Sequence, residues 1–275
     1  MPRTAPGPGL ARRIGLDRLA ARVDVVTDPR RRRLLAVEVV VVLVVTFGLS
    51  GLYSVLDLAG SLLAPEPLGD QTTTLNGSRS SLGWLDLAYQ LAGTLRLLGW
   101  AALPLVLLAH GGIGPRALGF VRERAGRQVA AGLALTALIG VPGLAVYLGS
   151  VALGLNLQVQ ASGLQHVWWG TPVLVLRAFA NGAAEEVLVV GYLLVRLRQL
   201  GWSPWASLAA SALLRGSYHL YQGFGGGLGN LLMGIVFAAW WMRTRRLGPL
   251  VLAHTLLDVV AFVGYAALAG HVSWL

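Results

Sequence analysis

The stretch AAEEVLVVGYLLVR, residues 183–196, decides the fold. Apart from Glu185, Glu186, Tyr192 and the closing Arg196 it holds only small and aliphatic residues, the composition of a helix surrounded by lipid or by other apolar helices. Each carboxylate near the middle of a bilayer costs roughly 2.5–3.5 kcal/mol on insertion scales, so two in succession require partners or a chemical task. The remainder of the chain has to supply one or the other.

Composition extends the reading to the whole chain. Of 275 residues 55% are hydrophobic and 12% are charged, and the mean hydropathy is positive, outside the range of a soluble domain of this size. The fold class expected is all-α, a polytopic membrane bundle of about seven transmembrane helices. The net charge of +10 comes entirely from arginine, set in short clusters between apolar runs and not along one basic face with interleaved aromatics, which excludes a nucleic-acid partner. No cysteine is present, so disulfides, thiolate metal sites and cysteine nucleophiles are excluded. The bias to Ala, Gly, Leu, Val and Arg is that of a GC-rich bacterial genome.

Runs of spanning length occur at about 34–63, 84–110, 128–155, 171–195, 203–222, 226–242 and 248–270. The first is about twice as long as a signal-peptide core and reads as a retained span. Arg12 to Arg33, Arg116 to Arg127, Arg196 with Arg198, and Arg243 to Arg246 occupy alternate connections. The positive-inside rule then predicts a cell-membrane protein with its N-terminus in the cytoplasm and its C-terminus outside. Three regions follow: a basic, flexible cytoplasmic segment over 1–33, N-terminal spans with a basic loop over 34–165, and a polar-motif region over 166–275. The Asn76-Gly77-Ser78 sequon reads as an exposed turn, and residues 111–128 fit either an amphipathic helix on the inner leaflet or a plain loop.

Ionisable groups at depth concentrate in the last four spans: Glu185 and Glu186, then Arg215 and His219, then His254 and Asp258. The last two pairs are spaced i, i+4, so each pair shares one helix face. At about 1.5 Å per residue from the cytoplasmic arginines, Glu186 lies about 15 Å deep, His254 about 12 Å, Asp258 about 18 Å and His219 about 24 Å. Ala178, Ala180, Gly182, Ala183 and Ala184 let a second helix approach the carboxylates closely. A shared polar chamber between spans four, five and seven follows from these depths. A proton- or cation-coupled carrier needs the same residue types, although no internal repeat supports a transporter.

Glu185-Glu186-Val-Leu-Val-Val190, Arg215-Gly-Ser-Tyr-His219 and His254-Thr-Leu-Leu-Asp258 together resemble the three motifs EExxxR, FxxxH and HxxxN/D of the CPBP family, the CAAX-protease and bacteriocin-processing membrane proteins that include type II CAAX prenyl endopeptidases. The likeness covers about residues 170–265. It implies an intramembrane endopeptidase that hydrolyses a peptide bond of a membrane-associated protein or peptide within the lipid bilayer. By resemblance Glu185 activates water, His219 assists, His254 with Asp258 stabilises the oxyanion, and Glu186 completes the catalytic set. A metal route uses Glu185, His219 and His254 as zinc ligands with an open position for water, although no HExxH is present. Two departures stand out: Val190 replaces the first motif's arginine and Arg215 replaces the second motif's phenylalanine. Either Arg215 reaches across to Glu186 as a structural ion pair, or it snorkels outward and Glu186 stays neutral. The loss at Val190 also fits a non-catalytic scaffold or immunity protein of the same family.

Overall fold

A computed structural model describes residues 23–121, 123–164 and 167–268, which are helical apart from short connections. Residues 1–22 of the expected basic N-terminal segment, and the C-terminus expected outside the membrane, lie outside the described residues. Helix α1 (Pro29–Val44) opens where the Arg31 amide donates to Asp28 Oδ1 at 2.7 Å, with Pro29 fixing φ in the first turn. α2 (Phe47–Leu63) continues it at 48°, so the run expected as one span is a bent pair of helices. Thr46 Oγ donates to Val42 O at 2.5 Å and Ser50 Oγ to Thr46 O at 3.3 Å. Hydroxyls that bond back to the i−4 carbonyl bend helices. Gly48 makes the bend possible, because a Cβ there would stand 2.6 Å from Leu43 O.

The chain then forms α3 (Gly83–His110), the single turn α4 (Pro115–Leu118) and α5 (Ala125–Ala152). α6 (Gly170–Glu185) runs without interruption through a π-helical segment (Glu186–Tyr192) into α7 (Leu193–Gln199). α8 (Pro204–Ser217), capped by Ser203 Oγ accepting from the Ala206 amide at 3.1 Å, precedes α9 (Phe224–Thr244) and α10 (Gly248–Leu268). Among the described residues α3, α5, α9 and α10 are each long and apolar enough to cross a membrane, and the bent α1–α2 pair supplies a fifth path. The chain is an all-α membrane protein. The α6–π–α7 rod is about 45 Å long, whereas α8 is about 21 Å, short of the roughly 30 Å hydrocarbon core.

That rod is the axis of the bundle. Every residue from Gly182 to Leu197 is buried, with α10 and α3 packed on α6 and α8 packed on α9, as expected of a helix that is apolar all round. The arginine-rich connections meet at one end: Arg32 Nη2 donates to Leu200 O at 2.8 Å, Arg196 Nη2 to Leu107 O at 2.9 Å, and Arg245 Nη2 to Ala117 O at 3.2 Å. Among the described residues of 111–128 the helical parts are the single turn α4 and the start of α5, not one amphipathic helix. Leu118 is fully buried and its carbonyl accepts from Trp241 Nε1 at 3.1 Å and from the Leu247 amide at 3.2 Å, which plugs the segment between α9 and α10.

The opposite end carries a small cap. β1 (Thr72–Thr74) pairs in parallel with β2 (Gln158–Gln160), Thr72 opposite Gln158. Asn76, expected in an exposed turn, is instead 3% exposed and its Nδ2 donates to Ala161 O at 2.9 Å. The amide ties together the two loops that leave the strands.

Candidate active site

The π-helical segment starts at Glu186, one residue after α6 ends. A π turn widens the i→i+4 ladder by one residue, and such turns concentrate at functional positions. Ser211 Oγ of α8 donates to Val189 O at 2.7 Å and so satisfies a backbone carbonyl within the widened turn.

Around this turn the ionisable groups of three helices meet. Arg215 Nη2 lies 2.6 Å from Glu186 Oε1, and Arg215 Nη1 lies 3.4 Å from Glu185 Oε2. Arg215 is fully buried with its guanidinium carbon 5.6 Å from the Phe237 ring centroid. The cation therefore sits between both carboxylates and does not snorkel. His254 Nδ1 lies 2.7 Å from the same Glu186 Oε1, and as a donor to a carboxylate it carries the proton on that nitrogen. Its other nitrogen, Nε2, faces Glu185 Oε2 at 4.0 Å and Asp258 Oδ1 at 3.8 Å. Glu186 Oε2 is buried and has no hydrogen-bond partner among the described residues.

Two further side chains belong to the network and sequence reasoning missed both. Asn181 Nδ2 donates to Glu185 Oε1 at 3.1 Å and to Asp258 Oδ2 at 2.9 Å, bridging α6 and α10. Its signal was its place one helical turn before Glu185. Tyr218 OH donates to Glu185 Oε2 at 2.6 Å, and its ring stacks on Phe47 with centroids 4.7 Å apart. Phe47 is the first residue after the bend between α1 and α2, and Trp100 of α3 meets it edge-on at 5.1 Å. The N-terminal helices thereby support the site.

His219 stands apart from this hub. Its Nδ1 donates to Arg215 O at 3.0 Å, which leaves Nε2 as an acceptor in the neutral ring, within electrostatic range of Glu185. No group of three His, Asp or Glu among the described residues is arranged to hold an ion, and both Glu185 oxygens already accept from neutral or cationic donors.

A Glu–Glu–Arg–His–Asp network enclosed by apolar helices defines a helical membrane protein built around a polar centre. Residues 167–260 match the family model described as type II CAAX prenyl endopeptidase Rce1-like, and the three motifs lie within the matched region. The match begins just before α6 and ends within α10, so it takes in every residue of the network and leaves out the supporting Phe47 and Trp100. No curated protein and no solved structure matches the chain.

Proposed function

We propose that the chain is an intramembrane endopeptidase that hydrolyses a peptide bond of a membrane-associated protein or peptide. The observation that carries this reading is the triangle of His254 Nε2, Glu185 Oε2 and Asp258 Oδ1. Its 3.8 and 4.0 Å separations exceed a direct hydrogen bond and suit a single bridging water. Glu186, paired with Arg215, accepts the His254 Nδ1 proton and so fixes the tautomer whose Nε2 lone pair points at that triangle. His254 then takes a proton from the water as its oxygen bonds to the scissile carbonyl carbon. As the C–N bond breaks, the proton passes from Nε2 to the leaving amine, and the carboxylic acid so formed gives its hydroxyl proton to that amine, so the products leave as a carboxylate and an ammonium.

This assignment exchanges two roles implied by the resemblance. Glu185 is engaged by Asn181, Tyr218 and Arg215, so both of its oxygens are already occupied as acceptors. In our reading it orients the water while the Glu186–His254 dyad removes the proton. Engagement of Glu185 also favours a second reading, a non-catalytic family member. The two separate in one experiment: a proteomic comparison of membranes from cells carrying the native chain or His254→Ala. Peptides that appear only with the native chain support the protease, and identical peptide sets overturn it. Zinc is tested on purified protein, where cleavage persisting after chelation and confirmed metal removal is expected.

For the substrate, the matched family's name concerns prenylated CAAX proteins. A bacterial host without prenylation would present leader peptides or membrane-protein segments instead. We place the arginine-rich end in the cytoplasm and the β1–β2 cap outside.

A further inference from the structure

At the arginine-rich end a groove of about 390 Å³ lies between the start of α1 and the α7–α8 connection, lined by Pro29, Arg32, Arg33, Ala36, Leu200 and Trp202. Its walls combine two guanidinium groups with an indole over an aliphatic floor. Arg32 Nη2 donates to Leu200 O at 2.8 Å, which holds that guanidinium in place while its other N–H groups stay available. Arg30 and Arg31 precede the pair, and all four arginines are exposed. Asp28, the nearest carboxylate in sequence, is engaged with the Arg31 amide. The groove thus concentrates positive charge with donors suited to a phosphodiester.

What continues from the groove distinguishes a lipid from a free anion. Arg33, Val37, Val40 and Val44 follow at i, i+4, i+7 and i+11 and share one face of α1. Val37, Val40 and Val44 are 58%, 59% and 54% exposed. Together with exposed Leu34, Val41 and Val45 they form an apolar surface that runs along α1 away from the cationic groove. Trp202 and Trp205, 45% and 43% exposed, sit beside it where amphipathic rings mark the interface. From this arrangement we infer that the groove is a binding site for an anionic phospholipid, its phosphate on Arg32 and Arg33 and an acyl chain along Val37, Val40 and Val44.

The test is native mass spectrometry of the full-length chain, titrated with phosphatidylglycerol, phosphatidylcholine or inorganic phosphate. Phosphatidylglycerol is expected to be retained in preference to phosphatidylcholine, and Arg32→Gln/Arg33→Gln to weaken that retention about tenfold or more. Arg30→Gln/Arg31→Gln removes the same charge outside the groove and is expected to leave retention nearly unchanged. Arg33→Gln alone keeps the Arg32 anchor to Leu200, guards against misfolding of the double variant, and is expected to give an intermediate loss. Equal losses in the two double variants would reduce the site to diffuse surface charge. Displacement of the lipid by inorganic phosphate would reduce it to an anion site, and indifference to headgroup charge would remove it.

Discussion

At the scale of single residues, Arg215 decides whether the buried carboxylates are tolerable. It faces Glu186 at 2.6 Å and Glu185 at 3.4 Å with no exposure to solvent, so its removal leaves two anions short of their cation. Arg215→Ala is expected to lower stability by about 3–5 kcal/mol in denaturant unfolding in detergent, and adding Glu186→Gln to recover part of the loss. An unchanged midpoint in Arg215→Ala would show that the carboxylates are neutral. Tyr218→Phe probes the other side of Glu185, because it deletes one hydrogen bond to a carboxylate and keeps the stack on Phe47. A fall in kcat of roughly 10- to 100-fold with little change in stability is expected, and equal loss of both would make Tyr218 a packing residue. The carboxylates, imidazoles and Arg215 were legible in the sequence because ionisable side chains are conspicuous among apolar ones. Asn181 and Tyr218 were not, since a neutral amide or phenol in a helix has many uninformative uses. Their roles depend on groups contributed by other helices, and Tyr218 is oriented by Phe47, far away in sequence.

At the scale of elements, the distance between α6 and α10 sets the Glu186–His254 contact. A Cβ at Gly182 would stand 3.0 Å from the Thr255 amide nitrogen and 3.3 Å from His254 Cβ, so Gly182→Ala forces the two helices apart at the level of the dyad. The expected cost is about 1–3 kcal/mol of stability, with a loss of cleavage well beyond what the remaining folded fraction accounts for. Gly143→Ala in α5, where an added Cβ meets nothing within 4 Å, is the control and should leave both unchanged or slightly raise stability. Equal activities in the two variants would mean that the helix spacing does not tune the site. Helix positions were largely legible: the runs 84–110 and 226–242 correspond to Gly83–His110 and Phe224–Thr244, because apolar length is a local property. The π segment was not, since widening one turn shifts a hydrogen-bond register and leaves the apolar composition of EVLVVGY as it was. Nor was the β1–β2 pair, whose partners are separated by the whole of α3 and α5.

At the scale of the molecule, the direction of α8 fixes how the chain is threaded. It starts beside Leu200, which accepts from Arg32 at the arginine-rich end. It ends at a turn whose residues are clasped at the other end: the Leu157 amide donates to Gln222 O, and the Phe224 amide donates to Leu155 O. Gly223, with φ of 112°, lies against Asn156. Although only about 21 Å long, α8 therefore runs from the basic end to the cap. By length and apolarity α3, α5, α9, α10 and the bent α1–α2 pair are candidate spans among the described residues; we propose that the α6–π–α7 rod and α8 cross as well, which makes seven crossings and, with the arginines inside, puts the C-terminus outside. A reporter active only outside the cytoplasm is thus expected to work when fused after Leu275 or inserted near Asp70, and to fail after Arg127. The reverse result at Leu275, with the other two positions as stated, would mean that α8 turns back within the bilayer.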